Sequence, residues 1–286
     1  MTVVAGPDRT VTRVAAHRLT HPDDVVRHRP GGLDLDAYSR MKHGDLRATG
    51  ILAKALAAAL VDQVPTLVSD DAVPILPVAY KAVRPACWFL ARAVLDDLDA
   101  RRAAAGLPAG RIVRVAKDAV TTTDYATASA AERSAELGRI GFRLDEDVDG
   151  AQLVVIDDVR VTGSAETSIL AALDAARPQK VVLAYVAVVE GGLAADPAVE
   201  AALNHHVVRS PADLAGAVRR GDFVLTIRFL KRLLQAPADE RAAFLDSCPP
   251  ALLHEVLDGA AATGDEFCMA FAGALGDVRA RLRGVR

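Results

Sequence analysis

The sequence predicts an α/β fold, with an open and mostly parallel sheet covered by helices on both faces and a C-terminal helical subdomain. Strand and helix patterns alternate over residues 38–208, as in sheets built from parallel strands and crossover helices. The strand segments are continuous apolar runs such as Val181–Val189, which are typical of strands covered on both faces. Residues 209–286 contain repeated helical patterns and almost no strand pattern. We therefore expect an α/β domain over 38–208 and a helical subdomain over 209–286.

Each element of this prediction follows from its local pattern. Residues 1–37 have little periodicity, and we expect an N-terminal extension there that could serve as a hood over the site. Apolar residues at helical spacing, and a proline in a first turn, indicate the helices. In chain order these are expected over Gly44–Gln63, Pro85 to about Arg102, Ala130–Arg139 and Ala165–Ala176. The predicted strands are Ala72–Val78, Arg111–Ala116, Gln152–Ile156 and Lys180–Val189.

Composition excludes several classes of partner. The chain has 34 Lys and Arg residues against 37 Asp and Glu residues, so no bulk charge attracts it to nucleic acid or anionic lipid. The apolar run Val181–Val189 has about half the length that a membrane-spanning helix needs. Three widely spaced cysteines and an N-terminus without an apolar signal segment are typical of a reducing compartment. We expect a cytoplasmic protein with neither a membrane nor a nucleic-acid partner.

Two adjacent acids, Asp157 and Asp158, follow the predicted strand Gln152–Ile156 at the sheet edge where open α/β sheets bind ligands. A short loop of small and hydroxyl residues comes next, and a helix begins at once. Free N–H groups at a helix start bind phosphate, and a glycine lets the backbone approach the anion closely. The acids would repel phosphate and suit vicinal hydroxyls or a divalent cation. The segment therefore predicts a site for a ribose 5-phosphate. The predicted phosphate loop is Val161, Thr162, Gly163, Ser164 and Ala165.

This segment resembles the phosphoribosyl-diphosphate motif of type I phosphoribosyltransferases. That motif has four apolar residues, two acids, a short loop ending in Thr-Gly and then a small residue. Here it reads Leu153–Ile156, Asp157-Asp158, Val159–Val161 and Thr162–Ala165. One position departs from it, because Arg160 stands where an apolar residue is usual. We expect Arg160 to add positive charge near the phosphate or at an interface.

The resemblance implies an activity: transfer of ribose 5-phosphate from phosphoribosyl diphosphate to a nitrogenous base, with release of pyrophosphate and with Mg²⁺ as cofactor. Asp157 and Asp158 would hold the ribose hydroxyls, directly or through Mg²⁺-bound water, and the phosphate loop would hold the 5-phosphate. Family members are usually homodimers, and we expect one here. The acceptor base is not assigned.

The resemblance also implies a diphosphate loop and a lid. The loop after the first α/β strand is expected to bind the diphosphate, through Tyr80, Lys81, Ala82 and Arg84. The polar, Thr-rich segment Lys117–Ser129 matches the family's mobile lid in position and composition, with Lys117 and Tyr125 meeting the diphosphate. Asp157, Asp158, Lys81 and Lys117 are thus the expected catalytic residues.

Within the family, the sequence looks most like one bacterial and phage branch. The segments that carry this resemblance are the first loop (AYKAVRPA), the Asp124-Tyr125 and Glu132-Arg133 pairs and the segment DDVRVTGSAE. Members of that branch often accompany tellurite-resistance and stress gene clusters. Two other functions stay open. One is a non-catalytic sensor of phosphoribosyl diphosphate that regulates through the C-terminal helical subdomain. The other is a pyrophosphate-releasing hydrolase or a kinase-like enzyme that shares only the site for ribose 5-phosphate.

Two further clusters are ambiguous. Arg40, Lys42 and His43 precede a helix, and they either face the site or form a solvated helix start. The pair His205-His206 has no acidic or cysteine neighbour at metal-ligand spacing, so we expect a structural role for it.

Overall fold

The computed structural model describes residues 2–5, 10–117, 142–174, 176–196 and 198–284. Within these residues, seven strands form one sheet in the order β1-β2-β7-β6-β3-β4-β5. The strands are β1 (Thr2–Ala5), β2 (Thr10–Leu19), β3 (Ile75–Tyr80), β4 (Arg111–Lys117), β5 (Phe142–Leu144), β6 (Gln152–Arg160) and β7 (Lys180–Val189). The five central strands are parallel, and the edge strands β1 and β5 are antiparallel to their neighbours.

Helices connect the parallel strands and continue beyond the sheet. The α-helices are α1 (Leu35–Lys42), α2 (Leu46–Gln63), α3 (Thr66–Ser69), α4 (Ala86–Ala104), α5 (Ser164–Asp174), α6 (Ala198–Asn204), α7 (Ala215–Arg220), α8 (Ile227–Gln235), α9 (Ala238–Leu245), α10 (Pro250–Thr263), α11 (Asp265–Ala270) and α12 (Ala272–Gly284). Short 3-10 helices cover Pro22–Val25, Gly191–Ala195 and Pro211–Leu214. Among the described residues, no helix combines the length and apolar character that crossing a membrane requires.

Helices cover both faces of the sheet, which confirms the predicted fold class. Successive residues of a strand point to opposite faces. In β6, Val154 and Ile156 pack into the cluster that contains α1, α2 and α4. Leu153 and Val155 pack into a second cluster, which contains Leu173 of α5. The continuous apolar run of β6 is therefore explained by burial on both sides.

Some elements differ from the sequence prediction. The strand Lys180–Val189 has the predicted bounds, but β6 continues past Ile156 to Arg160, so the two acids lie within a paired strand. The segment Thr10–Leu19, which lies in the predicted N-terminal extension, forms β2 beside β7 and so belongs to the sheet. Its pattern is hidden because polar residues lie half-buried in the strand, among them Arg13, which is paired with Glu166. The predicted helix Ala130–Arg139 lies outside the described residues.

The C-terminal helices have a hydrophobic core of their own, formed by residues between Val208 and Val278. This group of helices contacts the turn between α1 and α2. There Val224 N donates to Gly44 O at 2.9 Å, and Leu46 N donates to Asp222 O at 2.7 Å. Gly44 has φ +101°, and a Cβ on it would lie 2.1 Å from Val224 O. Only glycine allows this approach, which joins the C-terminal helices to α1.

The strand order places the ends of β3 and β6 side by side. From β3 the chain crosses to β4 on one side, whereas from β6 it crosses to β7 on the other. Ligands of open α/β sheets bind at such a switch point, outside the carboxyl ends of the strands. The segments that follow Tyr80 and Arg160 therefore border the expected ligand site.

Candidate functional site

The two acids of β6 have different surroundings. Asp158 is only 6% exposed, and both of its carboxylate oxygens are engaged. Oδ1 accepts hydrogen bonds from Tyr38 Oη at 3.1 Å and from Val159 N at 2.7 Å, while Oδ2 accepts one from Lys42 Nζ at 2.5 Å. Burial favours the neutral acid, but the Lys42 ammonium outweighs it and lowers the pKa of Asp158. Asp158 is thus a buried anion with a built-in counter-ion.

Asp157 is half-buried and more available. Its Oδ1 accepts a hydrogen bond from Asp158 N at 2.9 Å, and within the described part of the chain its Oδ2 has no hydrogen-bond partner. Burial, together with the negative charge of Asp158, raises the pKa of Asp157 to about 7. Asp157 is therefore the acid that can receive a hydroxyl or a cation.

Helix α1 supplies the partners of Asp158. Tyr38 and Lys42 are four residues apart, so they lie on one face of the helix. Tyr38 is fully buried and Lys42 is 7% exposed. His43 is also buried, with Nδ1 2.8 Å from Ser39 O. A solvated helix start is therefore wrong for Lys42 and His43, and Lys42 faces the acids. Tyr38 was not among the predicted site residues, although its spacing of four residues from Lys42 places both on one helix face.

Arg40, the remaining residue of that cluster, lies against the C-terminal helices and donates a hydrogen bond to Asp213 O at 3.3 Å. Arg228 of α8 acts electrostatically on the acids. Its guanidinium lies 3.8 Å from Glu200 of α6, and its charge also lowers the pKa of Asp158. The C-terminal helices therefore contribute positive charge to the surroundings of the acid pair.

The predicted phosphate loop forms an exposed turn where β6 ends and α5 begins. Thr162, Ser164 and Ala165 are exposed, whereas Val161 is buried beneath them. Thr162 Oγ1 lies 3.0 Å from Ser164 Oγ, so two hydroxyls sit at the first turn of α5. Gly163 has φ +80°, and a Cβ on it would lie 2.8 Å from Arg160 Nη2. The backbone conformation favours glycine here, and the Arg160 guanidinium occupies the space where a side chain would begin.

Arg160 lies beneath this turn in a buried ionic cluster centred on Glu166. Glu166 Oε2 accepts from Arg160 Nε at 2.9 Å and from Tyr185 Oη at 3.0 Å, and Oε1 accepts from Arg13 Nη2 at 2.6 Å. Burial raises the pKa of Glu166, but these partners, led by Arg13, bring it below its ordinary value. Two guanidiniums around one carboxylate leave a net positive charge under the phosphate turn. This arrangement explains the unusual arginine of the motif.

The predicted diphosphate loop follows β3, but its cations have partners within the chain. Lys81 Nζ donates to Thr263 O, at the end of α10, at 3.0 Å. The exposed Arg84 stacks on the ring of Trp88, with 3.8 Å between its Cζ and the ring centroid. A Cβ on Gly259 of α10 would lie 2.9 Å from Val83 Cγ2, so this helix packs directly on the loop.

Tyr80 and Ala82 flank Lys81 and are half-buried. The guanidinium of Arg114 lies 5.1 Å from the Tyr80 ring centroid. Lys117 ends β4, next to β3, and pairs with Phe142. The remainder of the expected lid, residues 118–129 with Tyr125, lies outside the described residues.

Only one acid of the pair is free to hold a Mg²⁺ ion among the described residues. Mg²⁺ takes oxygen ligands and usually keeps several waters, with one or two carboxylates and substrate oxygens beside them. Both oxygens of Asp158 are engaged by Tyr38, Val159 and Lys42. The residues present therefore suit a Mg²⁺ ion held through Asp157 and the oxygens of a substrate.

Comparison with known proteins points to one family. Residues 15–268 match the family described as PRTase ComF-like. No curated protein matches the chain in sequence. Similar solved structures include a hypoxanthine-guanine phosphoribosyltransferase from Bacillus anthracis, with 9% identity and a TM-score of 0.32 over 56% of this chain and 72% of that chain. A Staphylococcus aureus hypoxanthine phosphoribosyltransferase has 12% identity and a TM-score of 0.32 over 48% and 62% of the two chains. The hypoxanthine-guanine enzyme of L. donovani has 13% identity and a TM-score of 0.32 over 50% and 70%.

Proposed function

Because the chain belongs to the PRTase ComF-like family, we propose that it binds phosphoribosyl diphosphate at the carboxyl ends of β3 and β6 and transfers its ribose 5-phosphate to a nitrogenous base. One observation carries this proposal. A half-buried carboxylate near the end of β6, a Thr-Gly-Ser turn between β6 and a helix start, and a basic loop after the neighbouring β3 lie at one sheet edge. These three groups suit the diol, the 5-phosphate and the diphosphate of this substrate.

Each part of the substrate has a proposed partner. The turn Thr162–Ala165 and the N-terminus of α5 bind the 5-phosphate, helped by the positive cluster beneath Gly163. Asp157 accepts hydrogen bonds from the ribose hydroxyls. Lys81 and Arg84 bind the diphosphate, for which Lys81 exchanges its present contact with Thr263 O for the anion. Lys117 is a further proposed contact, because β4 ends beside β3.

The proposed reaction is a substitution at C1 of the ribose. The bond between C1 and the diphosphate oxygen breaks, and its electron pair leaves with pyrophosphate. A ring nitrogen of the base forms the new bond to C1, and its proton passes to the released pyrophosphate. When bound with the substrate, Mg²⁺ supplies further neutralisation of the leaving group. The chain stabilises the charges that develop, with Asp157 near the cationic sugar and the basic loop near the leaving group.

A second function, a non-catalytic sensor of phosphoribosyl diphosphate, is favoured by a specific observation. Two of the expected catalytic groups are engaged by the chain itself, Asp158 by Lys42 and Lys81 by Thr263 O. Since Lys81 contacts α10, binding of a diphosphate there would release a contact with the C-terminal helices. A sensor could transmit its occupancy in this way.

Pyrophosphate release separates the two functions. The full chain is incubated with phosphoribosyl diphosphate, Mg²⁺ and a panel of purine and pyrimidine bases, with Lys81→Ala as the test variant and the exposed Lys54→Ala as control. The enzyme releases pyrophosphate with one base, and Lys81→Ala reduces this release while Lys54→Ala does not. A sensor binds phosphoribosyl diphosphate without base-dependent release. Absence of both binding and release contradicts the proposed function.

Three finer statements belong to the same proposal. The resemblance to the branch that accompanies tellurite-resistance clusters, and the expected homodimer, depend on the family likeness. The division at residue 208 is supported by the separate core of the C-terminal helices. Sedimentation of the full chain measures the oligomeric state, and a monomer at working concentration would contradict the dimer.

A further inference from the structure

Three potential metal ligands from distant parts of the chain meet at the surface. His28 follows the first 3-10 helix, Asp36 lies in the first turn of α1, and His206 follows α6. His28 Nε2 lies 3.1 Å from Asp36 Oδ1, and His206 Nε2 lies 3.5 Å from the same oxygen. The three ligand atoms are all within 4.8 Å of one another.

These separations suit a transition metal. A tetrahedral site with metal–ligand bonds of about 2.1 Å has ligand–ligand edges of about 3.4 Å. Both distances to the Asp36 oxygen are close to that edge, and the ligand atoms of His28 and His206 lie within 4.8 Å of each other. Two imidazoles and one carboxylate form a donor set that suits Zn²⁺ and its neighbours in the first row, whereas Mg²⁺ prefers oxygen alone. This cluster is therefore chemically distinct from the acid pair of β6.

The three segments are held in place by other contacts. Arg29, next to His28, pairs with Asp24 at 3.0 Å. Ser39 of α1 donates to Asn204 O at 2.9 Å and accepts from Val208 N at 3.1 Å, so the turn that carries His206 is fixed to α1. The two imidazole rings contact each other edge to face, with centroids 5.7 Å apart. The backbone segments that carry the ligands are thus held near one another before any cation binds, which favours binding.

We propose that His28, Asp36 and His206 bind one divalent transition-metal ion of the Zn²⁺ class, with solvent completing its coordination. The His28 and Asp36 side chains are 55% and 51% exposed, so an ion can reach the site from solvent. The bound ion would join the N-terminal segment, α1 and the end of α6. Because α1 also carries Tyr38 and Lys42, the ion would stabilise the helix that neutralises Asp158.

Cobalt titration tests this proposal, because tetrahedral Co²⁺ absorbs visible light and can replace Zn²⁺. The full chain is first freed of metal with a chelator and then titrated with Co²⁺ in the presence of excess Mg²⁺. The test variants are His206→Ala and Asp36→Asn, and the control is His254→Ala, an exposed histidine of α10. Thermal unfolding with and without Zn²⁺ provides a second readout that needs no activity.

We expect one Co²⁺ per chain, no competition from Mg²⁺ and a rise in Tm with Zn²⁺. Loss of groups that only orient a metal ligand weakens binding about ten- to a hundredfold, so loss of a ligand should cost at least about a hundredfold. His254→Ala should behave as the parent. If either test variant is poorly folded, His28→Ala at an exposed loop position replaces it. Absent binding, or binding that these ligand variants leave unchanged, overturns the proposal and leaves Asp36 as a salt-bridge partner of two histidines.

Discussion

Replacing Lys42 with methionine is expected to destabilise the fold strongly. Methionine keeps most of the apolar stem but removes the ammonium that pairs with Asp158. Both side chains are 9% exposed, so water cannot take the place of the lost partner. Within the part of the chain that the structure describes, Asp158 would be left as a buried charge with the Tyr38 hydroxyl and a backbone N–H as its remaining donors.

Removing one partner of a buried ion pair usually costs about 3–5 kcal/mol, and we expect a loss in this range for Lys42→Met at pH 8. The exposed Lys54→Met is the matched control, and its effect should stay within about 0.5 kcal/mol. The double variant Lys42→Met/Asp158→Asn removes the uncompensated charge and should recover most of the loss. The difference between the sum of the single variants and the double variant measures the coupling.

Urea unfolding followed by circular dichroism gives these free energies, and its pH dependence has a definite sign. Without Lys42, burial raises the pKa of Asp158 above its value in the unfolded chain. The folded variant then binds the extra proton, so its deficit is largest above that raised pKa and shrinks as the pH falls. A loss below about 1 kcal/mol at pH 8, or a deficit independent of pH, would refute the assignment of a buried Lys42–Asp158 pair.

Two further changes probe other contacts. Gly44→Ala should cost at least about 2 kcal/mol of unfolding free energy, because alanine at φ +101° is strained and its Cβ would meet Val224 O. The control is Gly50→Ala in α2, whose added Cβ meets nothing within 4 Å. This control should be neutral or stabilising. Equal effects in urea unfolding would contradict that contact. Burial lowers the pKa of His43 well below 6.5, so below pH 6.5 the unfolded chain binds a proton that the folded chain does not, and stability falls as the pH falls. His43→Gln should reduce this slope by up to about 1.4 kcal/mol per pH unit in unfolding curves between pH 6.5 and 5, and an unchanged slope would show that His43 titrates freely.

The sequence located the strands that are buried on both faces, although β6 continues beyond its predicted end at Ile156 to Arg160. β7 has the predicted bounds, because the continuous apolar run of Lys180–Val189 is typical of a strand buried on both faces. β2 could not be predicted in the same way. It contains Arg13, which is tolerated in the strand because it pairs with Glu166 across 153 residues. A local pattern cannot show such a partner.

The sequence predicted only those parts of the candidate site that are contiguous along the chain. The acids and the phosphate turn form one continuous segment, so their order in the sequence already brings them together. The neutralisation of Asp158 by Tyr38 and Lys42 depends on the position of α1 in the fold. The partner of Lys81 is a backbone carbonyl at residue 263, and no side-chain pattern indicates a carbonyl. Likewise, His206 and Asp36 are far apart in the sequence and come together only in the folded chain.

The central claim, that the end of β6 binds the ribose of phosphoribosyl diphosphate, is tested most directly by calorimetry with the Asp157→Asn variant at pH 8, above the pKa of about 7 of Asp157. Asparagine keeps the shape of Asp157 and removes its charge, and it leaves the Lys42–Asp158 pair intact. A hydrogen bond to a charged group contributes about 1.5–3 kcal/mol, so Asp157→Asn should weaken Mg²⁺-dependent binding about ten- to a hundredfold. The affinity of the same variant for inorganic pyrophosphate measured without Mg²⁺, a ligand that has no ribose, should stay unchanged. Equal affinity of parent and variant for phosphoribosyl diphosphate would contradict the claim.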